Sequence, residues 1–99
     1  MNVRLLEVAR RELDEAFSYY NNEAAGLGEA FLLETIAAIE RIRQFPDAWH
    51  PLGGEVRRCR LRRFPYGLIY HAEKDEILIV AVAHPHRRPD YWRDRIKGR

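Results

Sequence analysis

The sequence predicts an α+β fold: an N-terminal strand, an antiparallel helical hairpin, then a mainly antiparallel sheet of three further strands and a short C-terminal helix. Three observations predict it. Apolar residues recur every three or four positions from Ala9 to Phe45. Strand-like runs then crowd between residues 55 and 84. Glycine or proline stands at most of the breaks between these segments.

Residues 2–6, Asn-Val-Arg-Leu-Leu, suit a short strand before the period changes. Ala9, Leu13, Ala16, Phe17, Tyr20 and Ala24 then mark one apolar stripe, with Arg10, Arg11, Glu12, Asp14 and Glu15 between them. Gly26 and Gly28 interrupt that helix. A second stripe follows on Leu32, Ile36, Ile39 and Ile42, widened by Phe31, Ala38 and Phe45, while Glu29, Glu34, Glu40, Arg41 and Arg43 fill the outer face. Pro46 ends it, because proline lacks the amide hydrogen and restricts the residue before it. The short break predicts an antiparallel hairpin, and two one-sided stripes require a second layer to pack against.

Residues 46–54 read as a loop from their turn chemistry. A strand is expected over about 55–64. Alternation puts Arg58, Arg60 and Arg62 on one face with Val56 and Phe64, and Cys59 and Leu61 on the other with Arg57 and Arg63. A second strand spans 67–72 and a turn follows at Glu73-Lys74-Asp75. The third, 76–84, is apolar on both faces and belongs in the sheet interior. Pro85 ends it, and Pro89 suits the first position of a helical turn over 90–96.

Ninety-nine residues suit one domain, expected to span 1–99. A content of 46% hydrophobic and 11% aromatic residues can supply its core, and 32% charged residues of both signs exclude the disordered class. The single cysteine, Cys59, excludes an intrachain disulfide and any zinc site built on paired cysteines. No apolar run approaches a membrane span, and the N-terminus runs into acids and arginines, so no membrane association and a cytoplasmic location are expected. The net charge of +2 hides an asymmetry of −4 over residues 1–54 and +6 over 55–99. Such a basic half suits an anionic partner, or is simply a solvated arginine surface.

The densest constellation is that basic one. Arg58, Arg60 and Arg62 would project together, with Arg87 and Arg88 approaching from beyond the last strand. Guanidinium forks match phosphate oxygens, and a row of like charges on a sheet repels itself unless an anion sits there. Phe64, Tyr66, Tyr70, Tyr91 and Trp92 could stack on bases, although core packing suits them as well. His84 could serve as a general acid or base at a strand end. His84-Pro85-His86 lacks a third ligand, so no metal site and no cofactor are expected. Cys59 faces inward and reads as a core residue, and Gly53-Gly54 reads as a turn, not a phosphate cradle.

The run Arg57-Arg58-Cys59-Arg60-Leu61-Arg62-Arg63-Phe64-Pro65-Tyr66-Gly67-Leu68-Ile69-Tyr70 carries a resemblance, which continues through 77–82 to His84-Pro85-His86-Arg87-Arg88-Pro89-Asp90-Tyr91-Trp92. With the preceding hairpin, it resembles the RelE/ParE superfamily of toxins of type II toxin–antitoxin systems, the plasmid-stabilisation type. The resemblance implies a growth-inhibitory toxin neutralised by a cognate antitoxin, in a hetero-oligomer whose acid-rich antitoxin covers the hairpin and the basic face. It implies either of two targets. RelE-like members cut messenger RNA on the ribosome without a metal. They use basic strand residues, an arginine just after the turn's tyrosine, an arginine after the last strand and a C-terminal tyrosine. Here Arg58 and Arg60 match the strand pair, Arg87 the later arginine, and Tyr91 the tyrosine at a shorter spacing. In that chemistry Tyr91 or His84 would take the proton of the RNA's own 2′-hydroxyl, and Arg58, Arg60 and Arg87 would stabilise the phosphoryl charge. ParE-like members share the fold, lack the full set and poison DNA gyrase. Gly67 stands where the turn arginine would be and the strand has no lysine, which favours the gyrase reading and leaves enzymatic activity open. A non-toxic nucleic-acid-binding module, or one whose basic face only contacts an antitoxin, are the further alternatives.

Overall fold

A computed structural model describes residues 1–97; positions 98 and 99 of the expected domain lie outside the described residues. The elements are β1 (Asn2–Leu5), α1 (Glu7–Glu23), α2 (Leu27–Gln44), β2 (His50–Gly53), β3 (Val56–Arg60), β4 (Gly67–Ala72), β5 (Glu76–Ala83) and a 3₁₀ turn (Arg93–Arg95). They form one five-stranded sheet in the order β1-β5-β4-β3-β2, with the helical hairpin on one face. Among the described residues only β1 pairs parallel, against β5; the other pairs are antiparallel. The α+β expectation holds, and β5 lies inside the sheet as its two apolar faces require. Two details differ. The loop expected over 46–54 contains the edge strand β2, and the C-terminal helix is a single 3₁₀ turn.

The core lies between hairpin and sheet. Ala9 and Ala16 of α1 and Phe31, Ala38 and Ile42 of α2 meet Cys59, Leu61, Leu68, Tyr70, Ile77, Ile79 and Val82. The buried face of α2 is turned from the expected stripe. Phe31, Thr35, Ala38 and Ile42 face inward, while Ile36 and Phe45 are 50% and 61% exposed. Phe31 causes the turn by entering an aromatic cluster, with ring centroids 5.3 Å from Tyr20 and 5.4 Å from Phe64. Thr35 is tolerated in the core because its hydroxyl donates to the Phe31 carbonyl at 3.0 Å.

Gly28 brings the helices together. A Cβ there would stand 2.7 Å from both Asn21 Oδ1 and the Phe17 carbonyl oxygen. Its N–H donates to Asn21 Oδ1 at 2.8 Å, so α1 caps an orphan donor at the start of α2. Gly28→Ala is therefore expected to cost about 1–3 kcal/mol through overpacking, read as a lower midpoint in urea at unchanged m-value.

The far face of the sheet is only partly open. Trp92, 1% exposed, closes a second cluster with Val56, Ile69, Leu78, Val80 and Ala81. A β-bulge makes this possible. Ile69 pairs with Ala81 and Tyr70 with Ile79, so Val80 is extra and Val80 and Ala81 both join the far-side cluster. The C-terminal segment thus roofs β5 and leaves the neighbouring end of β3 uncovered. Among the described residues no helix is long and apolar enough to cross a membrane.

Candidate functional site

The uncovered end forms a cleft of about 250 Å³. Its floor comes from β3 and β4, its walls from the 61–66 turn and the segment after β5. Arg58 and Arg60 stand on the same face of β3, with Ile69 and Gly67 opposite them on β4. His84, Arg87, Arg88 and Tyr91 line the cleft from the other side. Six of the seven site residues expected from sequence therefore converge. Among the described residues no aspartate or glutamate lines the cleft.

Arg62 does not join them. β3 ends at Arg60, and the Leu61 N–H donates to the Tyr66 carbonyl at 2.9 Å to close the turn. Glu34 on α2 then accepts the N–H groups of Arg62 and Arg63 at 2.9 and 3.2 Å. Burial alone would raise the Glu34 carboxyl, but those donors and the Arg63 guanidinium hold it below the usual range. Alternation stops where the amides are captured, so Arg62 leaves the row.

The aromatics divide. Trp92 and Tyr70 are core residues, and Tyr70's hydroxyl donates to the Pro46 carbonyl while burial pushes its pKa up to about 12. Phe64 packs edge-on against Tyr20, with centroids 4.8 Å apart. Tyr66 and Tyr91 are half-buried and line the cleft.

Behind the cleft lies a carboxylate that sequence reasoning assigned to the polar side of α1. Glu12, with only 11% of its side chain exposed, takes both ends of the Arg95 guanidinium at 2.9 Å. It also accepts the Val82 N–H and the Tyr91 hydroxyl, each at 3.0 Å. Arg95 in turn donates to the Val80 carbonyl at 2.9 Å. β1 leaves β5 after Leu5, so backbone groups of β5 beyond that point lack a neighbouring strand. Glu12 and Arg95 satisfy them together and clasp the C-terminal segment to α1. The sequence signal was present: Glu12 lies three residues after Ala9 and four before Ala16, both on the buried stripe.

The clasp fixes the chemistry of Tyr91. Burial, then the Glu12 carboxylate that takes its hydroxyl hydrogen bond, push Tyr91 far above the ordinary tyrosine range. Two guanidiniums stand over its ring, with the Arg87 and Arg95 carbons 4.0 and 4.9 Å from the centroid. A tyrosine so held keeps its proton. His84 is also constrained. Its Nδ1 accepts the His86 N–H at 3.1 Å, so the neutral ring carries its proton on Nε2 and can donate. Burial and the neighbouring His86 lower its pKa. The cleft offers hydrogen-bond donors and positive charge, and the two groups expected as bases are engaged elsewhere. Among the described residues no three of His, Cys, Asp or Glu are grouped to hold a metal.

Residues 3–89 match the family described as the ParE toxin of type II toxin–antitoxin systems, parDE. The chain is 36% identical over 89 residues to Toxin ParE2 of Mycobacterium tuberculosis, strain CDC 1551 / Oshkosh, covering 89% of this chain and 85% of that protein. The same figures hold for Toxin ParE2 of strain ATCC 25618 / H37Rv. Its fold matches a chain of the chromosomal ParDE TA system from P. aeruginosa with a TM-score of 0.73 at 16% identity, covering 85% of this chain and 95% of that one. The chain belongs to the ParE toxin family of type II toxin–antitoxin systems.

Proposed function

We propose that this toxin arrests growth by binding DNA gyrase in the cytoplasm, and that a cognate antitoxin silences it by covering the hairpin and the arginine cleft. One observation carries the reading: among the described residues the cleft gathers four guanidiniums but no free base. Binding an anionic surface needs only the former. Cutting RNA needs both, since arginine does not take up protons near neutral pH.

A second reading has its own support. Arg58, Arg60 and Arg87 stand together around one cavity, as phosphoryl stabilisation in a ribosome-dependent nuclease would require. Induction of the chain alone, then together with the open reading frame adjacent to its own, tests the proposal. We expect growth arrest, relief by the neighbour, and gyrase–DNA adducts with an SOS response. Codon-restricted RNA 5′ ends would transfer the assignment to the nuclease. Unimpaired growth would leave only a nucleic-acid- or antitoxin-binding module.

A further inference from the structure

We propose that the cleft binds a phosphoryl oxyanion, with Arg58 as its anchor and Gly67 as the residue that positions Arg58. The inference rests on the reading of the cleft as the toxin's working surface. It adds the ligand chemistry and a role for Gly67.

Arg58 is the unusual group. Its Nε is buried without any hydrogen-bond partner, and the residue makes no ion pair among the described residues. Burial and the adjacent Arg60 both disfavour its charge. A buried donor left unpaired is costly, and a guanidinium cannot escape the cost by losing its proton. Among the described residues nothing accepts from this Nε, and no acid lines the cleft to do so. An acceptor brought by a ligand would satisfy this edge once the guanidinium turns towards it.

Gly67 explains why Arg58 lies there. Its backbone is not among the glycines of positive φ, so glycine is not needed for conformation. Glycine inside a strand instead marks a close approach. A Cβ on Gly67 would meet Arg58 Cγ at 3.1 Å and Cδ at 3.2 Å. The missing side chain is the bed on which the Arg58 stem rests. The position that lacks the nuclease arginine is thus occupied for a reason of space.

A phosphate fits better than a carboxylate. Arg58, Arg60, Arg87 and Arg88 surround the cavity, and the His84 Nε2–H adds a neutral donor. A carboxylate is filled by one guanidinium fork, whereas a tetrahedral phosphoryl group offers oxygens to several donors at once. Free phosphate and a nucleic-acid backbone share this chemistry.

The test is a titration of the ¹⁵N-labelled full chain with inorganic phosphate at constant ionic strength, following arginine Nε–H resonances. Arg58→Lys identifies the Arg58 signal by its loss. We expect that signal to move saturably in the wild type, and phosphate to bind at least about tenfold more weakly to Arg58→Lys and Gly67→Ala, while Arg62→Lys binds as the wild type does. Arg58→Lys keeps the charge and needs no repacking of β4, so it decides the matter even if Gly67→Ala folds poorly. An unmoved Arg58 signal, or equal affinity for Arg58→Lys, would overturn the proposal. So would saturable binding of an aspartate-rich peptide without binding of phosphate. Displacement of phosphate by a short oligothymidylate would support a backbone source, and its failure to compete would support free phosphate. Phosphate binding without gyrase adducts in cells would remove the proposed target and spare this site. Gyrase adducts without phosphate binding would do the reverse.

Discussion

Glu12→Gln is expected to lower the unfolding midpoint by more than about 10 °C. The substitution keeps the shape of the side chain and an oxygen for the Val82 N–H, but removes the charge that faces Arg95. Arg95 is 15% exposed in its side chain, and its charge is favoured above all by the Glu12 hydrogen bonds, with burial opposing. Breaking such a pair from one side costs roughly 3–5 kcal/mol, because a buried charge is left behind. In a domain of this size each kcal/mol is worth about 4–8 °C. The double variant Glu12→Gln/Arg95→Met removes both charges, and we expect it to recover part of the loss. Thermal and urea unfolding of the wild type and the two variants measure this. A Glu12→Gln midpoint within about 2 °C of the wild type would show that the clasp contributes little.

Reversing the rim of the cleft should do the opposite: spare the fold and remove the toxicity. Arg60 and Arg88 are exposed, and no ion pair depends on either side chain among the described residues. Arg60→Glu even gives Arg58 an acidic neighbour, so stability should stay within about 0.5 kcal/mol. A hydrogen bond to a charged group contributes about 1.5–3 kcal/mol, and two such contacts are lost and their sign reversed. Arg60→Glu/Arg88→Glu is therefore expected to bind its target at least about a hundredfold more weakly. Induction of this variant should leave colony counts near those of an empty vector. Full toxicity from a variant that folds normally would mean that the cleft is not the working surface.

Local period made most of the fold legible. Helices α1 and α2 follow from their apolar period, and strands β4 and β5 from short apolar runs bounded by turn residues, buried on both faces. β2 was hidden because Pro51 and Gly53 carry turn chemistry, and its strand character comes from pairing His50 and Pro51 with Arg58 and Arg57. The expected arginine row survived in Arg58 and Arg60 because those residues lie within β3, and failed at Arg62 because Glu34, 28 positions earlier, takes its amide. Glu12 escaped notice for a similar reason. A carboxylate on a buried stripe looks like an outer-face acid until the chain end brings Arg95 to it, 83 positions away. Gly67 read as a missing arginine, and only the path of the Arg58 stem across it gives that glycine a purpose.

Donors without a base are the central feature of the cleft, and Tyr91→Phe combined with His84→Gln removes both groups that could have served as one. The most direct measurement incubates this double variant and the wild type with purified gyrase and supercoiled plasmid, and quantifies protein-linked linear DNA. We expect equal yields from the two proteins, because binding through Arg58, Arg60, Arg87 and Arg88 needs no base, and the glutamine amide keeps a hydrogen-bond donor where the His84 Nε2–H stood. No linked DNA from either protein, with messenger RNA cut on ribosomes by the wild type and left whole by the variant, would contradict the account.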